Sequence, residues 1–138
     1  MVILAVSLFV IVDQIDRLIS AFIPPPDAIK EMMKPLQIDT MLQWTLVFIG
    51  SVFIAAVAEE SLFRGFLQVT LESKGDPTRA VILTSVCWAI VHLNPYWAIP
   101  IFVLGVFIGY VAWKTKSIWP AITIHATYNF LSLLITNK

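Results

Sequence analysis

The stretch MLQWTLVFIGSVFIAAVA, residues 41–58, decides the fold, because eighteen consecutive positions carry no charged side chain. At 1.5 Å per residue a helix of that length extends roughly 27 Å, close to the hydrocarbon thickness of a bilayer, so the stretch predicts a membrane-spanning helix. Two further segments of the same kind follow, Tyr96–Trp113 and Ile118–Ile135. A shorter apolar run, Ala80–Leu93, ends at Asn94-Pro95, a turn signal that predicts a tight hairpin with the next helix.

Upstream, Met1–Val12 is apolar, is interrupted by Asp13, Asp16 and Arg17, and resumes through Ile23. It lacks the basic start and A-x-A-like site of a secretory signal, so it reads as another membrane helix, one whose upstream neighbours are missing. Pro24-Pro25-Pro26 and then Asp27, Lys30, Glu31, Lys34, Pro35 and Asp39 predict a polar loop with one interfacial turn of helix. After residue 58, apolar Leu62, Phe63, Phe66 and Leu67 alternate with Glu59, Glu60, Arg64, Gln68 and Glu72 at helical spacing, up to Gly75-Asp76-Pro77. The expectation is an all-α, multipass transmembrane bundle of about five membrane helices plus a short amphipathic helix, one integral-membrane domain over residues 1–138.

Composition agrees. Of 138 residues 59% are hydrophobic and 13% charged, with mean hydropathy +0.86, whereas soluble domains average about 45–50% apolar and about 25% charged. Nine basic side chains balance nine acidic ones, which removes the electrostatic argument for nucleic-acid binding. The lone Cys87 allows no internal disulfide, and its apolar neighbours predict a buried small hydrophobe. Gly105 and Gly109 form a G-x-x-x-G that lets a helix of the same bundle approach closely. Under this topology Arg64, Lys74, Arg79, Lys114 and Lys116 share one side of the membrane, and the positive-inside bias makes that side cytoplasmic.

Ionisable groups at membrane depth are costly, so each needs a reason. Glu59 and Glu60 close the first quoted stretch, and His92 and His125, the only two histidines, lie within later apolar runs. Glu60 and Arg64 are four residues apart on one helix face and predict a structural ion pair, which leaves Glu59 available. His125 and Asn129 repeat that spacing, as do Trp88 and His92, where the indole can brace the imidazole. No Ser stands in a G-x-S-x-G elbow and Cys87 has no evident partner, so water activation is the chemistry left. A carboxylate (Glu59) and an imidazole (His92) can deprotonate water, while His125 and Asn129 can donate hydrogen bonds to an oxyanion. Glu59, His92 and His125 could instead hold Zn²⁺ in a site of two histidines and one carboxylate, although H-E-x-x-H is absent.

Glu59-Glu60-x-x-x-Arg64, Trp88-x-x-x-His92 and His125-x-x-x-Asn129 resemble, in order and spacing, the three motifs of the CAAX-protease and bacteriocin-processing family of intramembrane endopeptidases, also called Abi or lysostaphin-resistance-protein-A-like. The resemblance covers about Ala58–Leu134 and places a catalytic core at about residues 41–135. It implies a multipass helical fold around a hydrated polar cavity and hydrolysis of a peptide bond in a CAAX-type protein or a bacteriocin or signal precursor. By motif position Glu59 corresponds to the base, His92 to its helper, and His125 and Asn129 to the oxyanion pair, with Glu60 and Arg64 holding the site. The family has been described both as metalloprotease and as glutamate-type, so Zn²⁺ stays open as a cofactor, with glutamate and water favoured because Asn129 is a poor zinc ligand. Two departures stand out. Trp88 replaces the usual Phe, a change expected only to reshape the cavity wall, and the chain is short for the family, so missing helices or a partner would complete the bundle. The implied setting is the lipid bilayer, the plasma membrane in a bacterium. Two other functions compete: a non-proteolytic scaffold or immunity protein of the same fold, and a small proton or ion transport subunit.

Overall fold

A computed structural model describes residues 1–32 and 38–136 of the chain. Among these the structure is all-helical, with no strand. Helix α1 covers Val2–Phe22, α2 Asp27–Met32, α3 Met41–Glu72, α4 Pro77–Val91, α5 Ala98–Thr115 and α6 Trp119–Thr136. Lys34 and Pro35 of the expected polar loop, and Lys138, lie outside the described residues.

Local chemistry explains the boundaries. Thr40 opens α3 with a capping box: its hydroxyl accepts from Gln43 N–H at 3.2 Å, and the Gln43 side chain accepts from Thr40 N–H at 3.0 Å. Asp76 caps α4 by accepting from Arg79 N–H at 3.0 Å, with Pro77 in the first turn, where its missing N–H costs nothing. The α4–α5 hairpin turns through Leu93, at φ 54°, and an Asn94 side chain that accepts from Tyr96 N–H at 3.0 Å. Lys116, at φ 53°, ends α5 in the left-handed conformation.

The amphipathic segment after residue 58 is not a separate helix. Nothing between Ala58 and Gly75 breaks helical geometry, so α3 runs unbroken for 32 residues and carries Glu59 and Glu60 in its interior. Two of its stretches, Ile49–Ile54 and Ser61–Gln68, are π-helical, as in the bond from Ala55 N–H to Gly50 C=O five residues back. Such windings are rare and gather at functional sites.

Among the described residues two helices, α3 and α5, are long and apolar enough to cross a membrane, and α4 is apolar but only 15 residues long. Helix α1 holds three charges, with Arg17 Nε 2.8 Å from Asp13 Oδ2, and α6 carries His125 and Asn129 in its body. The helices pack as a bundle in which α5 touches α4, α6 and α1, while α6 touches α1 and α3. The core joins Ala5, Leu8 and Val12 of α1 to Phe63, Trp88, Leu104, Ile108 and Ile124. Cys87, expected to be buried, is exposed on the outer face of α4, because the opposite face carries Thr84, Ser85 and Trp88 inward.

Candidate active site

The π-helical winding of α3 over Ser61–Gln68 lines up one row of polar residues. In an α-helix residues four apart drift by about 40° per step, and a wider turn reduces that drift. Glu60, Arg64 and Gln68 thus stay on one inward face, all three buried. The expected Glu60–Arg64 pair is present, with Arg64 Nη1 donating to Glu60 Oε1 at 3.0 Å. Burying two charges costs several kcal/mol each, about repaid only when hydrogen bonds use the remaining polar edges. Arg64 Nη2 accordingly donates to the Gly105 carbonyl at 3.0 Å, and the guanidinium lies 4.5 Å from the Trp88 ring centroid.

The same Glu60 oxygen faces His125 Nδ1 at 2.8 Å, across 65 residues of chain. A carboxylate accepts, so this nitrogen carries the proton and Nε2 is left to other partners. His92 has the same form for the same reason, since its Nδ1 lies 2.7 Å from the Trp88 carbonyl, another obligate acceptor.

Trp88 is the hub. Its indole N–H donates to Glu59 Oε2 at 2.6 Å, and its ring meets His92 and His125 edge to face at 5.2 and 5.3 Å. The replacement of Phe by Trp therefore does more than reshape a wall, since Phe has no donor for Glu59. Exposure grades across the cluster: Glu60, Arg64, Trp88 and His125 are buried, Glu59 is half-buried and His92 is exposed. The arrangement is a buried ion-pair network bearing one half-buried carboxylate and one accessible imidazole.

Four of the seven sequence-derived site residues, Glu59, Arg64, His92 and His125, thus meet at the indole of a fifth, Trp88, and Glu60 joins them through Arg64 and His125. Asn129, the seventh, sits one turn beyond His125 and donates from Nδ2 to the Ser51 carbonyl at 2.8 Å, tying α6 to the first π-helical stretch of α3. One amide proton is left for another acceptor. Among the described residues no group of three His, Cys, Asp or Glu side chains is placed to hold a metal ion, so Glu59, His92 and His125 do not form the zinc set considered from sequence. Arg64 is interior, which removes it from the loop charges used to orient the chain.

Sequence reasoning missed Gln68, whose Nε2 donates to the Gly109 carbonyl at 3.0 Å and to Glu72 Oε1 at 2.8 Å. Its signal was the third repeat of four-residue spacing after Glu60 and Arg64. Glu60 Oε2, Arg64 Nε, Gln68 Oε1 and Thr84 Oγ1 are buried with no hydrogen-bond partner among the described residues, the kind of atom that buried water satisfies.

The fold and the site together define a helical protein with membrane-length apolar helices and, at its centre, a carboxylate, an imidazole and a buried Glu–Arg–His network. The chain matches the family described as type II CAAX prenyl endopeptidase Rce1-like over residues 41–131, about two thirds of its length, and it belongs to that family. This agrees with the resemblance carried by the three motifs. Searches of curated proteins and of solved structures give no match.

Proposed function

We propose that the protein is an integral, multipass intramembrane endopeptidase of about five spans, its whole chain one membrane domain with its catalytic core at about residues 41–135. It hydrolyses a peptide bond of a membrane-associated peptide or protein, either a CAAX-type terminus or a bacteriocin or signal precursor. The observation that carries this reading is the grouping of Glu59, His92 and His125 around Trp88, in a chain of this family.

The chemistry follows from which atoms remain unengaged. The Trp88 N–H holds Glu59 by Oε2, leaving Oε1 to take a proton from water. His92, anchored through Nδ1, offers Nε2 as an acceptor for the second water proton and orients the nucleophile. The oxygen attacks the scissile carbonyl carbon, and the oxyanion that results is assigned to donors carried by α6: the second amide proton of Asn129, and His125 Nε2 when the ring carries both protons. The Glu60 carboxylate compensates that charge on His125. Collapse breaks the C–N bond, and the proton held by Glu59 passes to the leaving amine. No step is routed through a metal ion.

The test is cleavage of a pooled peptide library, with prenylated and unprenylated members, by detergent-purified wild type and Glu59→Gln, with and without a chelator. Wild type should cleave in both buffers, and Glu59→Gln should lose at least roughly 10²–10⁴-fold in rate. Equal turnover by Glu59→Gln would remove Glu59 as base, and loss under chelation would move the reaction to a metal.

A further inference from the structure

Helices α3 and α5 run in the same direction, since α4 lies between them as an antiparallel return. Arg64 donates to the carbonyl of Gly105 and Gln68 to that of Gly109, each bond joining residues 41 apart in the chain. Two donors four residues apart on one helix therefore grip two main-chain oxygens four residues apart on the other. The amide orientation of Gln68 is set by chemistry, because both groups it meets, the Gly109 carbonyl and Glu72 Oε1, only accept.

A side chain at either acceptor would crowd this contact. A Cβ at position 105 would stand 3.0 Å from Trp88 Cε3 and 3.2 Å from Ser85 Cβ, and one at position 109 would stand 2.9 Å from Gln68 Oε1 and 3.1 Å from Val81 Cγ1. The contacts at 105 are with the hub indole itself. Packing alone would explain close approach, but a smooth small-residue groove tolerates axial sliding; directional bonds to successive carbonyls do not.

We infer that Arg64 and Gln68, gripping the Gly105 and Gly109 carbonyls, form a register clamp between α3 and α5, and that Gln68, Gly105 and Gly109 are positioning residues for the active site. Gln68 contacts neither Glu59 nor either histidine in any observed bond. It acts through Arg64, which shares its helix face and whose guanidinium holds both the Glu60 oxygen that receives His125 and the face of Trp88. Slippage of α3 along α5 would pull Arg64 from Gly105, and Glu60 and Trp88 would lose the contact that sets the two imidazoles and Glu59. The clamp is a statement about the helices; its effect on turnover rests on the endopeptidase reading above.

The experiment uses Gln68→Leu, which keeps bulk and deletes both donors, and Gly109→Ala, which attacks the same bond from α5. The chain has five glycines and two histidines, so carbonyl-¹³C glycine and ring-¹⁵N histidine labels in detergent-solubilised protein give few, assignable signals. Gln68→Leu should move the Gly109 carbonyl signal, which Gly109→Ala deletes with its label, and both variants should move those of Gly105 and of His125 Nδ1, neither of which Gln68 touches. With a cleaved peptide from the pool, kcat should fall roughly 10- to 100-fold, with KM unchanged within about twofold. A shift confined to Gly109, with Gly105 and His125 unmoved, would overturn the clamp and leave Gln68 as a local tie. If wild type cleaves nothing, the endopeptidase reading fails while the glycine and histidine signals still decide the clamp.

Discussion

The two halves of α3 are opposites. Along residues 41–58 only Val52 and Ala56 are buried, while Met41, Leu42, Leu46, Phe53 and Ile54 face outward. Along residues 59–72 the buried residues are Glu60, Phe63, Arg64 and Gln68, three of them polar. A water-soluble helix does the reverse, hiding its apolar stripe and showing its charges. In lipid the outward apolar half needs no protein partner, whereas every buried polar group must find one inside the protein. The first half is therefore suited to lie in a membrane, and the second gathers the buried polar cluster.

That contrast can be broken at its polar half first. Arg64→Ala leaves Glu60 buried without its counter-charge and removes the cation from Trp88, so stability should fall by about 3–5 kcal/mol, read as thermal unfolding in detergent. An unchanged midpoint would mean that water reaches the pair. Asn129→Ala sharpens the division of labour between bonding and chemistry. As an oxyanion donor Asn129 should be worth about 10²–10³ in kcat, while the bond to Ser51 alone accounts for only about 1 kcal/mol of stability. A lower melting temperature with intact kcat would make it a tie between α6 and α3.

Trp88→Phe keeps an aromatic ring and deletes the donor to Glu59. It should cost about 1.5 kcal/mol, roughly tenfold in kcat, and an unaffected rate would show that Glu59 needs no such bond. The smallest effect belongs to the apolar half. Leu46→Ala, 62% exposed, should change stability by no more than about 0.5 kcal/mol, and a loss of several would reveal that protein covers this face.

Much of the architecture was legible in the sequence by itself. Uncharged runs and the punctuation at Gly75-Asp76-Pro77 and Asn94-Pro95 are local signals, and they marked α4, α5 and α6 to within a few residues but not the continuation of α3 past residue 58. The cost of burying ionisable groups singled out Glu59, Glu60, Arg64, His92 and His125 as residues needing a reason, and the three spaced motifs carried the family. The Glu60–Arg64 pair was readable because both partners lie on one helix, where geometry follows from spacing.

What only the tertiary structure decided were the partners across helices. The indole N–H of Trp88 on Glu59, the shared Glu60 oxygen on His125 and the Asn129 bond to Ser51 join residues 29, 65 and 78 apart in the chain. Periodicity sets which face of a helix a residue occupies, but not the rotation and axial register of one helix against another, and those two quantities choose every such bond. The same ignorance made the amphipathic segment look like a separate helix, left Cys87 on the wrong side of α4, and hid Gln68 behind a glycine pair whose role depends on carbonyls that carry no sequence signature.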